Sequence, residues 1–127
     1  MKDCVGLETA KKLQDAGIKI DTAMVWAKDI HKNIWTLCPK DKVHLFVFAY
    51  EKCETIPAPS IAEMLEWLPS DFDGFPLTIR KNNKLWEVGY INRFNTGECI
   101  FDLFTHKTPQ EALAQLCLWV NKEGYKK

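Results

Sequence analysis

The sequence predicts an α+β fold: a single antiparallel sheet of about five or six strands, with two or three helices packed on one face. Three observations carry this. Residues 77–104 alternate short apolar runs with turn residues, the pattern of a meander. Ala112, Leu113, Leu116, Cys117 and Val120 recur at helical spacing and mark one buried stripe. Ser60 with Glu63 three residues on forms a capping box, directly after the rigid stretch Ile56-Pro57-Ala58-Pro59.

Taken in order, residues 7–16 read as a helix. Leu7, Ala10 and Leu13 share a side, and Gly17 stops it. Ile18 and Ile20 lead to residues 22–28, whose β-branched and aromatic content suits a strand. The polar run 29–33 turns the chain, residues 34–37 return, and Cys38-Pro39-Lys40-Asp41-Lys42 turns it again. Residues 43–50 carry the strongest strand pattern. Val43, Leu45, Val47 and Ala49 alternate with His44, Phe46, Phe48 and Tyr50, and both sets are largely apolar. That segment is expected at the centre of the sheet, or under a second covering element.

The capped helix places Ile61, Met64, Leu65 and Leu68 on one face and ends at Pro69, with residues 70–75 as a loop. Residues 77–81 and 85–91 flank Asn82-Asn83-Lys84 as a hairpin. Residues 92–97 turn, and 98–104 form the third strand. Thr108-Pro109-Gln110-Glu111 opens the last helix with a hydroxyl cap, a proline in the first turn and a glutamate completing the box; Gly124 closes it. This helix is expected to give most of the cover.

At 127 residues, with 46% apolar and 27% charged residues, the chain suits one domain over 1–127. The 17 basic and 17 acidic residues balance, which is not the footprint of a duplex-binding protein or of a binder of acidic lipid. The opening MKDCVGLETAKK lacks the apolar run of a signal peptide, and residues 43–50 are too few to span a bilayer. The expectation is a cytoplasmic protein with no membrane partner and five reduced thiols. An odd count without a C-x-x-C pair offers neither a disulfide framework nor a zinc knuckle.

Three patches, IPAPSIAEMLEWLP at 56–69, LWEVGY at 85–90 and TPQEALAQLCLWV at 108–120, occur in an order that resembles a group of small proteins of bacteriophages and bacterial mobile elements. In that group a proline-flanked EWLP-type helix precedes a tryptophan-containing strand and a terminal TPxEALAxLxLWx-type helix. The group carries no activity to transfer and no functional residues. The resemblance implies a phage or prophage origin and an accessory role.

Several constellations bear on chemistry. His31, His44 and His106 with Cys38, Cys53 or Cys99 have no metal-ligand spacing, and surface histidines and buried thiols account for them, so no metal or cofactor is expected. Cys99 and His106 sit near opposite ends of one strand, and Cys117 lies on the apolar stripe. Asp71 and Asp73 beside Gly74 lack the rest of a calcium loop, and Glu63 and Glu66 suit a solvated helix face. The scattered glycines form no phosphate cradle.

The leading expectation is a small non-enzymatic accessory protein acting through protein association, with a homodimer or a foreign partner. Aromatics make up 12% of the chain, more than one covered sheet face accommodates. Trp26, Trp35, Phe46, Phe48, Tyr50, Trp86 and Tyr90 are the candidate anchors, because large aromatics dominate interface energetics. One alternative is single-stranded nucleic-acid binding through the sheet and a rim of Arg80, Lys81, Lys84 and Arg93, beside Trp86, Tyr90 and Phe94. The other is a small enzyme or ligand-binding domain with a Cys/His site drawn from Cys99, His44 and His106.

Overall fold

A computed structural model describes residues 3–29, 33–45, 53–72, 74–94 and 97–123; the side chains of 29 and 92–102 lie outside that description. The chain divides into two units, Met1–Glu63 and Met64–Lys127. The strands form two antiparallel sheets, of three and four strands, not the single sheet expected from the sequence.

The first unit opens with α1 (Leu7–Asp15), followed by β1 (Met24–Asp29), β2 (Ile34–Pro39), a 3-10 helix (Lys40–Leu45) and β3 (Glu54–Pro57). Ala10 and Leu13 are the buried positions of α1. Gly17 takes a φ of +79° just past the helix. Its N–H donates to Gln14 and that of Ile18 to Leu13, at 3.0 and 3.1 Å. This is a Schellman ending, and buried Ile18 and Leu13 supply the apolar contact that goes with it.

β1 is the central strand. It pairs with β2 through Val25↔Cys38 and Ala27↔Thr36, and with β3 through Trp26↔Ile56. Side chains alternate across the pleat. Val25, Ala27 and Cys38 therefore share one face, where Val43 of the 3-10 helix closes a small core with Cys53 against it. Trp26, Lys28, Trp35 and Ile56 share the other, beside α1.

The strand expected at 43–50 does not begin at Val43 as its alternation predicts. Residues 43–45 end the 3-10 helix, and 46–50 lie outside the described residues. Pro39 ends β2, Lys40 N–H donates to Ala23 at 2.9 Å, and the chain then coils over the sheet instead of joining it. Only one side chain of that coil, Val43, reaches the core. The pairing that does build this sheet, β1 with β3, joins segments far apart in sequence.

The capping box forms as its spacing predicts. Glu63 N–H donates to Ser60 Oγ at 3.2 Å, and Ser60 N–H to Glu63 Oε1 at 2.9 Å, at the start of α2 (Ile61–Trp67).

The second unit holds β4 (Asp71–Phe72), β5 (Phe75–Asn82), β6 (Leu85–Phe94), β7 (Gly97–His106) and α3 (Pro109–Lys122), with sheet order β4-β5-β6-β7. Most of the loop expected at 70–75 is a tight hairpin, in which Phe72 pairs with Phe75 and Gly74 takes a φ of +85°. Asn83, at φ +58°, begins the β5–β6 turn. The three strands of the meander form in the expected order, but β6 runs to Phe94 and β7 from Gly97, so most of the turn expected at 92–97 is paired strand, with a bulge between Tyr90 and Ile91. α3 lies against β6 and β7. Ala112, Leu113, Leu116, Cys117 and Val120 are all buried, and Trp119 packs on Phe72 and Phe104 at ring distances of 5.1 and 6.4 Å.

One cap differs from expectation. Thr108 precedes α3, yet its hydroxyl makes no capping bond and is buried without a partner. The Thr108 N–H donates to His106 Nδ1 at 3.3 Å, which turns this residue toward the end of β7.

Gly17→Ala is expected to cost about 1 kcal/mol in urea unfolding, through backbone strain alone, since a Cβ there meets nothing within 4 Å. Gly17→Asn should lose less, and an unchanged midpoint for the alanine variant would contradict the Schellman ending.

Candidate functional site

Where the candidate anchors fall follows from strand parity. Trp26 is half-buried and its Nε1–H donates to Val5 O at 3.2 Å, so its polar end is already engaged. Trp35 is half-buried on the same face, with the ammonium groups of Lys11 and Lys28 at 5.5 and 6.0 Å from the ring. Trp86 is half-buried near the end of β6, with Lys81 at 5.5 Å. Tyr90 is 0% exposed; its hydroxyl donates to Pro69 O at 2.9 Å and its ring packs on Phe72. It is a core residue of the second unit, not a surface anchor. Phe46, Phe48 and Tyr50 lie outside the described residues.

The basic rim is split between the two faces of its sheet. Arg80 and Glu87 face each other across β5 and β6 with Nε to Oε1 at 2.8 Å. One residue on, Lys81 points to the opposite face, beside Trp86. Lys84 is exposed in the turn, and the side chains of Arg93 and Phe94 lie outside the described residues.

The apolar surface comes mainly from residues the sequence reading did not single out. Ile34 is 57% exposed, Leu45 68%, Ile79 37% and Leu85 42%. Ile34 lies on the same side of β2 as Cys38, the side on which Val43 of the 3-10 helix packs, and Leu45 ends that helix. The available signal was position: Ile34 and Leu85 directly follow turns, and Leu85 shares the parity of Glu87, opposite the Val88 and Tyr90 face on which α3 lies. On β5, Leu77 N–H donates to Ser70 O at 2.9 Å, away from β6. Alternation puts the backbone groups of Ile79 and Lys81 on that same outer edge. Among the described residues no strand pairs with them there.

Two of the hollows among the described residues of the first unit differ in character. One, of about 240 Å³, is lined by Ala10, Leu13, Ile18, Ile20, Pro57 and Pro59, with Gln14 and Lys19 at its rim. The other, of about 470 Å³, is lined by Asp21, Thr22, Lys40, Asp41 and Glu63. Its charges largely satisfy one another. Lys40 Nζ is 3.0 Å from Asp21, and both Glu63 oxygens accept backbone N–H groups, from Ser60 and from Ala23 at 2.8 Å.

The thiols are placed for packing. Burial raises the pKa of Cys4 above its ordinary value, with Asp3 and Glu63 adding to the effect. Burial likewise raises that of Cys38, with Cys53 adding. Burial pushes Cys117 up to about 12. All three are protonated at neutral pH and are poor nucleophiles. The side chain of Cys99 and residues 31 and 73 lie outside the described residues, and His44 is exposed at the end of the 3-10 helix. Among the described residues no three His, Cys, Asp or Glu side chains gather to hold a metal, and no helix is long and apolar enough to cross a membrane.

No protein family, curated protein or solved structure matches the chain. Function is therefore read from the residues themselves.

The Cys117 thiol keeps its proton in the native state while the unfolded chain loses it above the ordinary value of 9.0. Its contribution to stability is present below that value and falls as pH rises toward about 12. Between about pH 8 and about pH 10, Cys117→Ala should lose about 1 kcal/mol less stability in urea than the parent chain. Parallel losses would contradict the burial of this thiol.

Proposed function

We propose that this chain is a small non-enzymatic accessory protein, of phage or prophage origin, that works by associating with another protein or with a second copy of itself. The observation that carries this reading is the exposure of Ile34 and Leu45, at 57% and 68%, at the start of β2 and at the end of the 3-10 helix. Large aliphatic side chains gain free energy from being covered, about 25 cal/mol per Å² of apolar area. Exposed aliphatic side chains of this kind supply apolar contact area for association, while Trp35 lies on the opposite face of that sheet, under Lys11 and Lys28. The apolar hollow beside α1 can seat a partner's side chain, and the open edge of β5 can take an added strand. The raised thiols of Cys4, Cys38 and Cys117 weigh against cysteine nucleophiles at those positions.

Gel filtration with light scattering tests the reading on the full chain, alongside the double variant Ile34→Lys with Leu45→Lys. Both positions are exposed, so the variant should fold with stability within about 0.5 kcal/mol of the parent. The expected result is an assembly, or a protein retained from the native host, that the double variant loses. A single-chain mass at every concentration, with no host protein retained beyond what the variant retains, overturns the reading.

A further inference from the structure

Lys81, Trp86 and His106 lie side by side across three strands of the second unit. Lys81 faces Trp86 in the β5–β6 register, and Trp86 faces His106 in the β6–β7 register. Adjacent strands are about 4.8 Å apart, so the row spans roughly 10 Å. Trp86 and His106 are half-exposed, and Lys81 is exposed, as are Lys84 in the neighbouring turn and Lys107 after β7. The Lys81 ammonium is 5.5 Å from the Trp86 ring centroid. His106 Nδ1 accepts the Thr108 N–H, so the neutral ring carries its proton on Nε2, as a donor.

Charge is distributed unevenly between the two faces of this sheet. Glu87 points to the opposite face and is held there by Arg80 at 2.8 Å. Among the described residues no ion pair joins Lys81, Lys84 or Lys107 to an acid. A chain of zero formal net charge thus sets one ammonium group and a histidine beside a half-exposed indole, with Lys84 two residues before Trp86 and Lys107 next to His106 in the chain.

We propose that this row binds single-stranded nucleic acid. One base stacks on Trp86, Lys81, Lys84 and Lys107 take the flanking phosphates, and His106 Nε2–H donates to the base or the backbone. An exposed cation–π contact is weaker than a base stack, so the Lys81 ammonium can leave the ring for a phosphate as a base arrives. An acidic peptide would use the same cations and leave the indole without a role, which favours the nucleic acid. The site does not include Ile34 or Leu45, whose exposure carries the association reading.

The test is fluorescence anisotropy of an end-labelled oligothymidylate of about ten nucleotides against the full chain. Three phosphate contacts should weaken binding roughly 20-fold between about 50 and about 200 mM salt. Lys81→Glu and Trp86→Leu should each lower affinity about tenfold or more with the thermal midpoint read in parallel. Lys81→Glu alters an exposed side chain and decides the matter if Trp86→Leu does not fold. Unlabelled oligonucleotide should displace the probe well below the concentration at which polyglutamate does. Absence of binding at low salt, wild-type affinity in folded Lys81→Glu, or displacement by polyglutamate as effective as by oligonucleotide overturns the proposal.

Discussion

Sheltering apolar side chain inside units of only about sixty residues is the constraint on which this structure depends. Surface grows relative to volume as a unit shrinks, so each core here is small. In the first unit, one core is Val25, Ala27, Cys38 and Val43. In the second, the α3 stripe packs over a sheet whose middle is Val88 and Tyr90, both fully buried. Ile34 and Leu85 open their strands, Ile79 lies on the outer strand β5 opposite Val88, and Leu45 ends the 3-10 helix. Four large aliphatics are exposed among the described residues, and the association reading rests on two of them, Ile34 and Leu45.

Polar groups are arranged with the opposite economy. Glu63 alone satisfies two backbone donors, at the start of α2 and at the entrance to β1, and so ties two segments of the first unit together. Arg80 and Glu87 neutralise each other across β5 and β6. Tyr90 gives its hydroxyl to Pro69. The groups that chemistry would need are mostly engaged in holding the fold, while Lys81, Lys84 and Lys107 are not.

Elements fixed by local signals were legible in the sequence. Gly17 ends α1 because only its positive φ closes the Schellman bonds. Ser60 and Glu63 cap α2, and the spacing of Leu113, Leu116 and Val120 marks the buried side of α3. What depended on distant partners was not legible. Apolar alternation at residues 43–45 reads as strand, yet no strand pairs there, and Val43 packs from a 3-10 turn. The division into two sheets follows from β1 choosing β3, a pairing that no local pattern announces. Thr108 has the right identity for a cap, but its N–H is drawn to His106 and its hydroxyl turns inward. The candidate site shows the same split. Residue size picked Tyr90, which the fold buries, and passed over Ile34 and Leu45, whose exposure depends on where cover stops.

The most direct measurement is solvent paramagnetic broadening of methyl resonances in the full chain, recorded in dilute and concentrated samples. The account predicts strong broadening at Ile34 and Leu45 in the dilute sample and little at Leu113 and Leu116, with the first pair becoming shielded as an assembly or an added partner covers it. Shielding of Ile34 and Leu45 equal to that of Leu113 in the dilute single chain would mean that the fold encloses them itself, and the case for association would end.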